Sequence, residues 1–136
     1  MIIGIGNDLC DIRRIAKVLA DHGPRFKTRI FTKAEQIYCD SQSNSANSYA
    51  KRWAAKEALA KALSTAQTPN LMWQDVEITN GASGKPQLTL YGAALARLRV
   101  MTPDGHEAVL HVSLSDEPPY AQAFIIIEAR RLYNDL

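Results

Sequence analysis

No apolar run in this sequence approaches the roughly 20 residues that a membrane-spanning helix needs, which argues against an integral membrane protein. The opening "MIIGIGNDLCDI" has no basic leader, and Asp8 interrupts its apolar stretch, so it predicts a strand rather than a secretory signal and a cytoplasmic location. Cysteine is scarce: Cys10 and Cys39 alone, best taken as two free thiols in a reducing compartment. No Cys/His cluster has structural zinc spacing. Aromatics make up only 7% of the chain, which is little stacking surface for a nucleic-acid binder, and the pI of 8.6 is only mildly basic. Internal repeats, low-complexity tracts and interdomain linkers are also missing, so residues 1–136 are expected to form a single domain.

What is present is an ordinary globular composition, 46% hydrophobic and 22% charged, with an uneven charge distribution behind the net +2. Residues 1–61 carry a local +5 and residues 62–136 a local −3. Between Arg13 and Lys33, seven basic residues face one acid, Asp21. Such a surface suits phosphates, nucleic acid or an acidic protein, although a plain solvated face has the same composition.

Periodicity predicts the order β-α-α-α-β-β-α-β-β. "DIRRIAKVLADHG" has helical spacing, with Asp11 as N-cap and Gly23-Pro24 closing it. In "FTKAEQIYC", Thr32 followed by Glu35 forms a capping-box pattern. A helix from about Ala46 to Leu63 comes next, then "DVEITN" and "QLTLYG" joined by "GASGKP" as a hairpin. "AALARLRVM" reads as a helix, and "EAVLHVSLS" and "YAQAFIIIEAR" as a second hairpin. The fold class is therefore α+β, a mainly antiparallel sheet packed with helices.

The helix segment "RWAAKEALAKAL" combines dense alanine with Lys56, Glu57 and Lys61. Alanine at that density implies close neighbours. Glu57 and Lys61, four apart, share a face and would form an ordinary surface pair if nothing else met them. Asp8, just past "GIG" at the end of a strand, offers a second carboxylate, and the glycines there let a backbone approach a ligand. Two such carboxylates could hold Mg²⁺ through oxygen ligands, provided that the fold brings them together.

"GIGNDLCDIRRI", "FTKAEQIYC", "RWAAKEALAKAL", "GKPQLTLYG" and "HVSLSDEPPYAQAFIIIE" stand in the order and spacing of the holo-[acyl-carrier-protein] synthases, the short bacterial 4′-phosphopantetheinyl transferases. The resemblance spans about Ile2 to Glu128. It implies a 4′-phosphopantetheinyl transferase-like fold and transfer of the 4′-phosphopantetheine arm of coenzyme A to a serine of apo acyl carrier protein, in fatty acid biosynthesis. It matches Asp8 and Glu57 to the family's Mg²⁺ ligands, and Lys61 to a lysine that neutralises phosphate charge. These three are the implied catalytic residues.

For coenzyme A binding the resemblance implies Lys56, with local packing or pairing as its alternative role, the turn Gly84-Lys85-Pro86, His111 and Ser113. "SGKP" by itself reads as a hairpin turn, and His111 by itself as a structural strand histidine. The serine proton could go to a metal-bound water, to Glu57 through a water, or to His111; the sequence does not choose. Arg14 matches an arginine that grips the acidic carrier protein, with Arg13, Lys17, Arg25 and Arg29 extending that surface. A homotrimer with sites between subunits is implied as well. The chain departs from the family pattern at Asn7, Asp11, "STA" (64–66) and "SDE" (115–117). A nucleic-acid-binding module and a catalytically silent assembly protein are the rival readings.

Overall fold

The computed structural model describes residues 1–64 and 71–133. Strand β1 (Ile2–Asp11) is followed by α1 (Ile12–Ile30), α2 (Lys33–Ser41) and α3 (Ser45–Ala62). A 3-10 turn (Trp73–Asp75) leads into β2 (Val76–Asn80) and β3 (Pro86–Leu90). Then come α4 (Gly92–Met101), β4 (His106–Glu117) and β5 (Tyr120–Arg131), the element order expected from the sequence. The α+β class stands, with every strand pairing antiparallel: a three-stranded sheet in the order β1-β5-β4 and a separate β2-β3 hairpin.

The end expected for α1 is displaced. Asp11 caps it as expected, accepting from Arg13 N at 2.9 Å, but helix continues past Gly23-Pro24 to Ile30. The backbone breaks at His22 (φ −140°, ψ 30°), and the chain restarts at once. Proline is tolerated there because the first turn of a helix has no intrahelical use for its missing N–H. In α2 the capping box forms in full: Thr32 N donates to Glu35 Oε1 at 2.8 Å, and Glu35 N to Thr32 Oγ1 at 3.3 Å. Cys10 and Cys39 are free and buried.

The core lies between α3 and one face of the three-stranded sheet. Along β5 the alternation puts Ala121, Ala123, Ile125, Ile127 and Ala129 inward, against Ala54, Ala55, Ala58, Leu59 and Ala62 of α3. Small residues on both sides let helix and sheet come closer than leucine would permit. The glycines of β1 complete this fit. A Cβ at Gly6 would stand 1.8 Å from the Ala58 carbonyl oxygen, and one at Gly4 2.6 Å from that of Ala62. "GIG" therefore admits a helix backbone, not a ligand as the sequence suggested.

Candidate active site

The close approach of α3 to β1 determines what lies at its end. Gly4, Gly6 and Asp8 alternate along one face of β1, with the glycines against Ala62 and Ala58. The chains run in opposite senses, so Asp8 meets α3 beside Glu57 and Lys61. Lys61 Nζ pairs with Asp8 Oδ1 at 3.1 Å and donates to the Asn7 carbonyl oxygen at 2.9 Å. Gln122 of β5 donates to Asn7 Oδ1 at 3.0 Å and steadies the same stretch. Glu57 is half-buried, and its carboxyl is pushed up by that burial first and by the Asp8 charge second, with Lys61 opposing. Asp8, Glu57 and Lys61, separated by some 50 residues of chain, are thus brought together.

No group of three or more His, Cys, Asp or Glu side chains that could hold a metal occurs among the described residues. The donor set is two carboxylates in mutual repulsion, compensated by one ammonium. That set fits a hard divalent cation which keeps several waters and takes further oxygens from a phosphate. It lacks the histidine and cysteine ligands that zinc sites ordinarily include. The neighbouring Cys10 thiol is pushed up to about 11, chiefly by burial and then by the Asp8 charge, so it stays protonated and is no ligand at neutral pH.

Lys56 requires a correction. The resemblance placed it at substrate binding, with local packing or pairing as the alternative; its side chain is fully enclosed, paired with the equally buried Glu35 at 2.8 Å, as in the alternative. Its ammonium also donates to the carbonyl oxygens of Trp73 (2.9 Å) and Val76. Burial pushes it down and Glu35 opposes. With no face left to solvent, it joins α3 to α2 and β2 instead of meeting a ligand.

Sequence reading missed two partners on this side of α3. Glu35 was read as a capping residue only, yet its second oxygen accepts from Ile78 N at 2.9 Å. Arg52 is 2% exposed, stacks over the Tyr38 ring at 4.1 Å and donates to Asn80 Oδ1 at 2.7 Å, while its Nε has no partner. A signal was there: Arg52, Lys56, Leu59 and Leu63 fall on one helical stripe, and cations on an apolar stripe demand buried acceptors.

The "SGKP" residues form the β2–β3 turn. Gly84 has φ +83°, a conformation that favours glycine, and Gly84 N donates to Gly81 O at 2.8 Å. Asn80 Nδ2 donates to Gly84 O at 2.8 Å, which links the turn to Arg52. Lys85 is exposed, and Pro86 opens β3 opposite Asn80. Ser64 has φ 55°, and the rest of the "STA" loop lies outside the described residues.

His111 and Ser113 stand elsewhere, on the face of the sheet turned away from α3. His111 Nε2 meets Glu128 Oε1 at 2.9 Å, and the Glu128 carboxyl is held below its usual range by His111 and then by Arg130. His111, Glu128, Met1, Ile2 and Ile126 line an open groove of about 380 Å³. Cross-strand rows on this face run Ile5–Ile126–His111, Asn7–Phe124–Ser113 and Leu9–Gln122–Ser115. Ile5 and Leu9 are 58% and 62% exposed, and Phe124 is exposed as well. No hydrogen bond or ion pair among the described residues joins His111, the Gly84 turn and the Asp8–Glu57–Lys61 group. His111 and Asp8 face opposite sides of the sheet.

The basic residues of α1 divide by occupancy. Arg13 is held by Asp11 in a two-pronged contact (3.0 and 2.8 Å), and Lys17 pairs with Asp21 at 2.8 Å. Arg14, Arg25 and Arg29 are exposed and make no ion pair among the described residues. Val18, His22, Arg25, Phe26 and Arg29 line a shallow groove of about 290 Å³ at the kink, with an apolar floor and a basic rim.

A family model described as the 4′-phosphopantetheinyl transferase superfamily matches residues 4–106. The holo-[acyl-carrier-protein] synthase of Methylobacterium radiotolerans is 56% identical over 129 residues, covering 95% of each chain. Among solved structures, the Neisseria meningitidis holo-[acyl-carrier-protein] synthase superposes with a TM-score of 0.81 at 33% identity, over 94% of this chain and 99% of that one. The Helicobacter pylori synthase, solved in complex with coenzyme A, superposes with a TM-score of 0.75 at 25% identity, over 91% and 99%.

Proposed function

Because this chain belongs to the 4′-phosphopantetheinyl transferase superfamily, we propose that it transfers the 4′-phosphopantetheine arm of coenzyme A to a serine of apo acyl carrier protein. The product is the holo carrier used in fatty acid biosynthesis, and the leaving group is adenosine 3′,5′-bisphosphate. The observation that carries this reading is the meeting of Asp8, Glu57 and Lys61 where α3 rests on the glycines of β1.

In the transfer, the serine Oγ bonds to the phosphorus bearing pantetheine and releases its hydroxyl proton to water. The bond from that phosphorus to the bridging oxygen breaks, and the nucleotide leaves with the electron pair. Asp8 and Glu57 would hold a Mg²⁺ ion, which supplies Lewis-acid neutralisation of the pyrophosphate oxygens when bound. Lys61 Nζ, one helical turn from Glu57 and more than half exposed, is a mobile cation that can exchange Asp8 for a phosphate oxygen as charge accumulates. The rigid seat of α3 on β1 contributes orientation, which with charge stabilisation supplies the acceleration of such reactions.

Arg14, Arg25 and Arg29 are the carrier-docking cations, with an acidic, partly apolar helix as the surface they suit. The bare apolar sheet face around Ile5, Leu9 and Phe124, together with the separation of His111 from Glu57, supports a homotrimer in which neighbours complete each site. No described helix is long and apolar enough to cross a membrane, and the site calls for neither nucleic acid nor membrane; the cytoplasm is the proposed location.

The test is intact-mass spectrometry of apo acyl carrier protein with coenzyme A, Mg²⁺ and this protein. The expected result is a gain equal to one phosphopantetheine arm, lost with Glu57→Gln, with Asp8→Asn and with a chelator. No gain on several carrier proteins refutes the activity.

A further inference from the structure

The helix that presents Glu57 is gripped from two sides. On an α-helix each residue turns about 100°, so Glu57 lies about 100° from Lys56 on one side and about 100° from Ala58 on the other, midway between the two gripped faces. On the Ala58 side, carbonyl oxygens of α3 sit against the glycines of β1 with no room for a methyl group. On the Lys56 side, the buried ammonium reaches Glu35 of α2, Trp73 O of the 3-10 turn and Val76 O of β2. Glu35 is itself fastened by Thr32 N and Ile78 N, so the grip has no loose end. The packed glycine side limits how near α3 can come. On the other side the directional bonds of Lys56 oppose rotation about the helix axis next to Glu57, with Arg52 adding its bond to Asn80 one turn earlier.

We propose that Lys56, through its bonds to Glu35 and to the Trp73 and Val76 carbonyl oxygens, is a positioning residue that sets the rotation of α3 and hence the spacing of Glu57 from Asp8. This rests on the reading that Asp8 and Glu57 share a divalent cation. A helix about 10–12 Å across, rotated by about 20°, moves the tip of a side chain by about 2 Å. Misplacement on that scale is enough to cost about a hundredfold in a reaction that depends on alignment. A buried ion pair is often no more stabilising than an apolar pair of similar size, so its presence here agrees with a geometric role.

The experiment uses Mn²⁺ alone as probe, its binding to the protein followed by electron paramagnetic resonance, with thermal unfolding and steady-state kinetics on the same samples. Glu35→Gln/Lys56→Met removes both charges and keeps a residue able to close the capping box. The expected result is a cooperatively folded protein that binds Mn²⁺ about tenfold or more weakly, with kcat reduced and KM for the carrier protein unchanged within about twofold. Glu35→Gln alone keeps the size and hydrogen-bonding shape of the pair but leaves the Lys56 ammonium without its counter-charge; it is expected to lose more stability and to move Mn²⁺ affinity in the same direction. Leu98→Ala, in the α4 core away from the site, provides a stability-lowered control whose Mn²⁺ affinity should hold. Either of two results overturns the proposal: a folded Glu35 or Glu35/Lys56 variant with Mn²⁺ affinity and kcat within twofold of the parent, or an equal loss in Leu98→Ala. If Asp8→Asn binds Mn²⁺ as well as the parent does, the shared-cation reading itself falls, and the proposal with it.

Discussion

Replacing Gly6 by alanine tests the central contact of the fold. The new methyl carbon would stand 1.8 Å from the Ala58 carbonyl oxygen, 2.7 Å from its carbon and 3.1 Å from Ala62 N. All three are backbone atoms, so no rotamer change relieves the clash, and α3 must retreat by an ångström or more. Overpacking usually costs about 1–3 kcal/mol, and this case belongs at the upper end because whole elements must part. At about 4 °C per kcal/mol for a domain of this size, a loss near 3 kcal/mol lowers Tm by about 12 °C. Activity should fall further than stability suggests, by about a hundredfold at a temperature where the variant is folded, since Glu57 withdraws from Asp8. Gly4→Ala, with its nearest atom at 2.6 Å, should be milder. Gly23→Ala meets nothing within 4 Å and should be neutral or slightly stabilising. Thermal unfolding and the mass-based transfer assay on the three variants check this order. A Gly6→Ala protein as stable and active as Gly23→Ala would refute the close-packing account of the site.

Arg14→Ala should raise KM for the carrier protein several-fold and flatten its salt dependence, whereas Arg13→Ala should do less, because Asp11 already occupies that guanidinium; equal effects would contradict the division. Asp40 is held below its usual 3.8 by the Tyr49 hydroxyl first and Lys27 second, so its contribution is present above about pH 3.8 and lost as pH falls through the lower folded value. The stability difference between the parent and Asp40→Asn should therefore shrink on acidification below that pH, and a difference constant from pH 7 to 3 would exclude the mechanism. Ile5→Lys places a charge on the bare sheet face and should yield a monomer with little activity in sedimentation and transfer assays; an unchanged oligomer would remove that face as the interface.

Element order was legible because each element carries a local signature. Alternation marks β5, the Thr32–Glu35 pair opens α2, and glycine with proline turns the β2–β3 hairpin. The Pro24 signal misled in part: proline forbids continuation of the preceding turn but is welcome at the start of the next, and only the His22 backbone shows that both occur. Among site residues, Asp8, Glu57 and Lys61 were legible as chemistry, through resemblance, before anything placed them together.

Burial was legible only in outline: dense alanine implied close neighbours around α3, not which cation they would enclose. Lys56 and Lys61 are the same residue type five positions apart on one helix, yet one is sealed against Glu35 and two carbonyl oxygens while the other stands at the surface beside Asp8. Their difference arises from what each face of α3 meets, and those partners lie 17 to 54 positions away. The sequence by itself determined the elements and supplied the reactive groups, because these depend on spacing within a few residues. Tertiary structure alone decided which cation stays at the surface beside Asp8 and which is enclosed with Glu35, because solvent exposure and long-range hydrogen bonds are properties of the assembled fold.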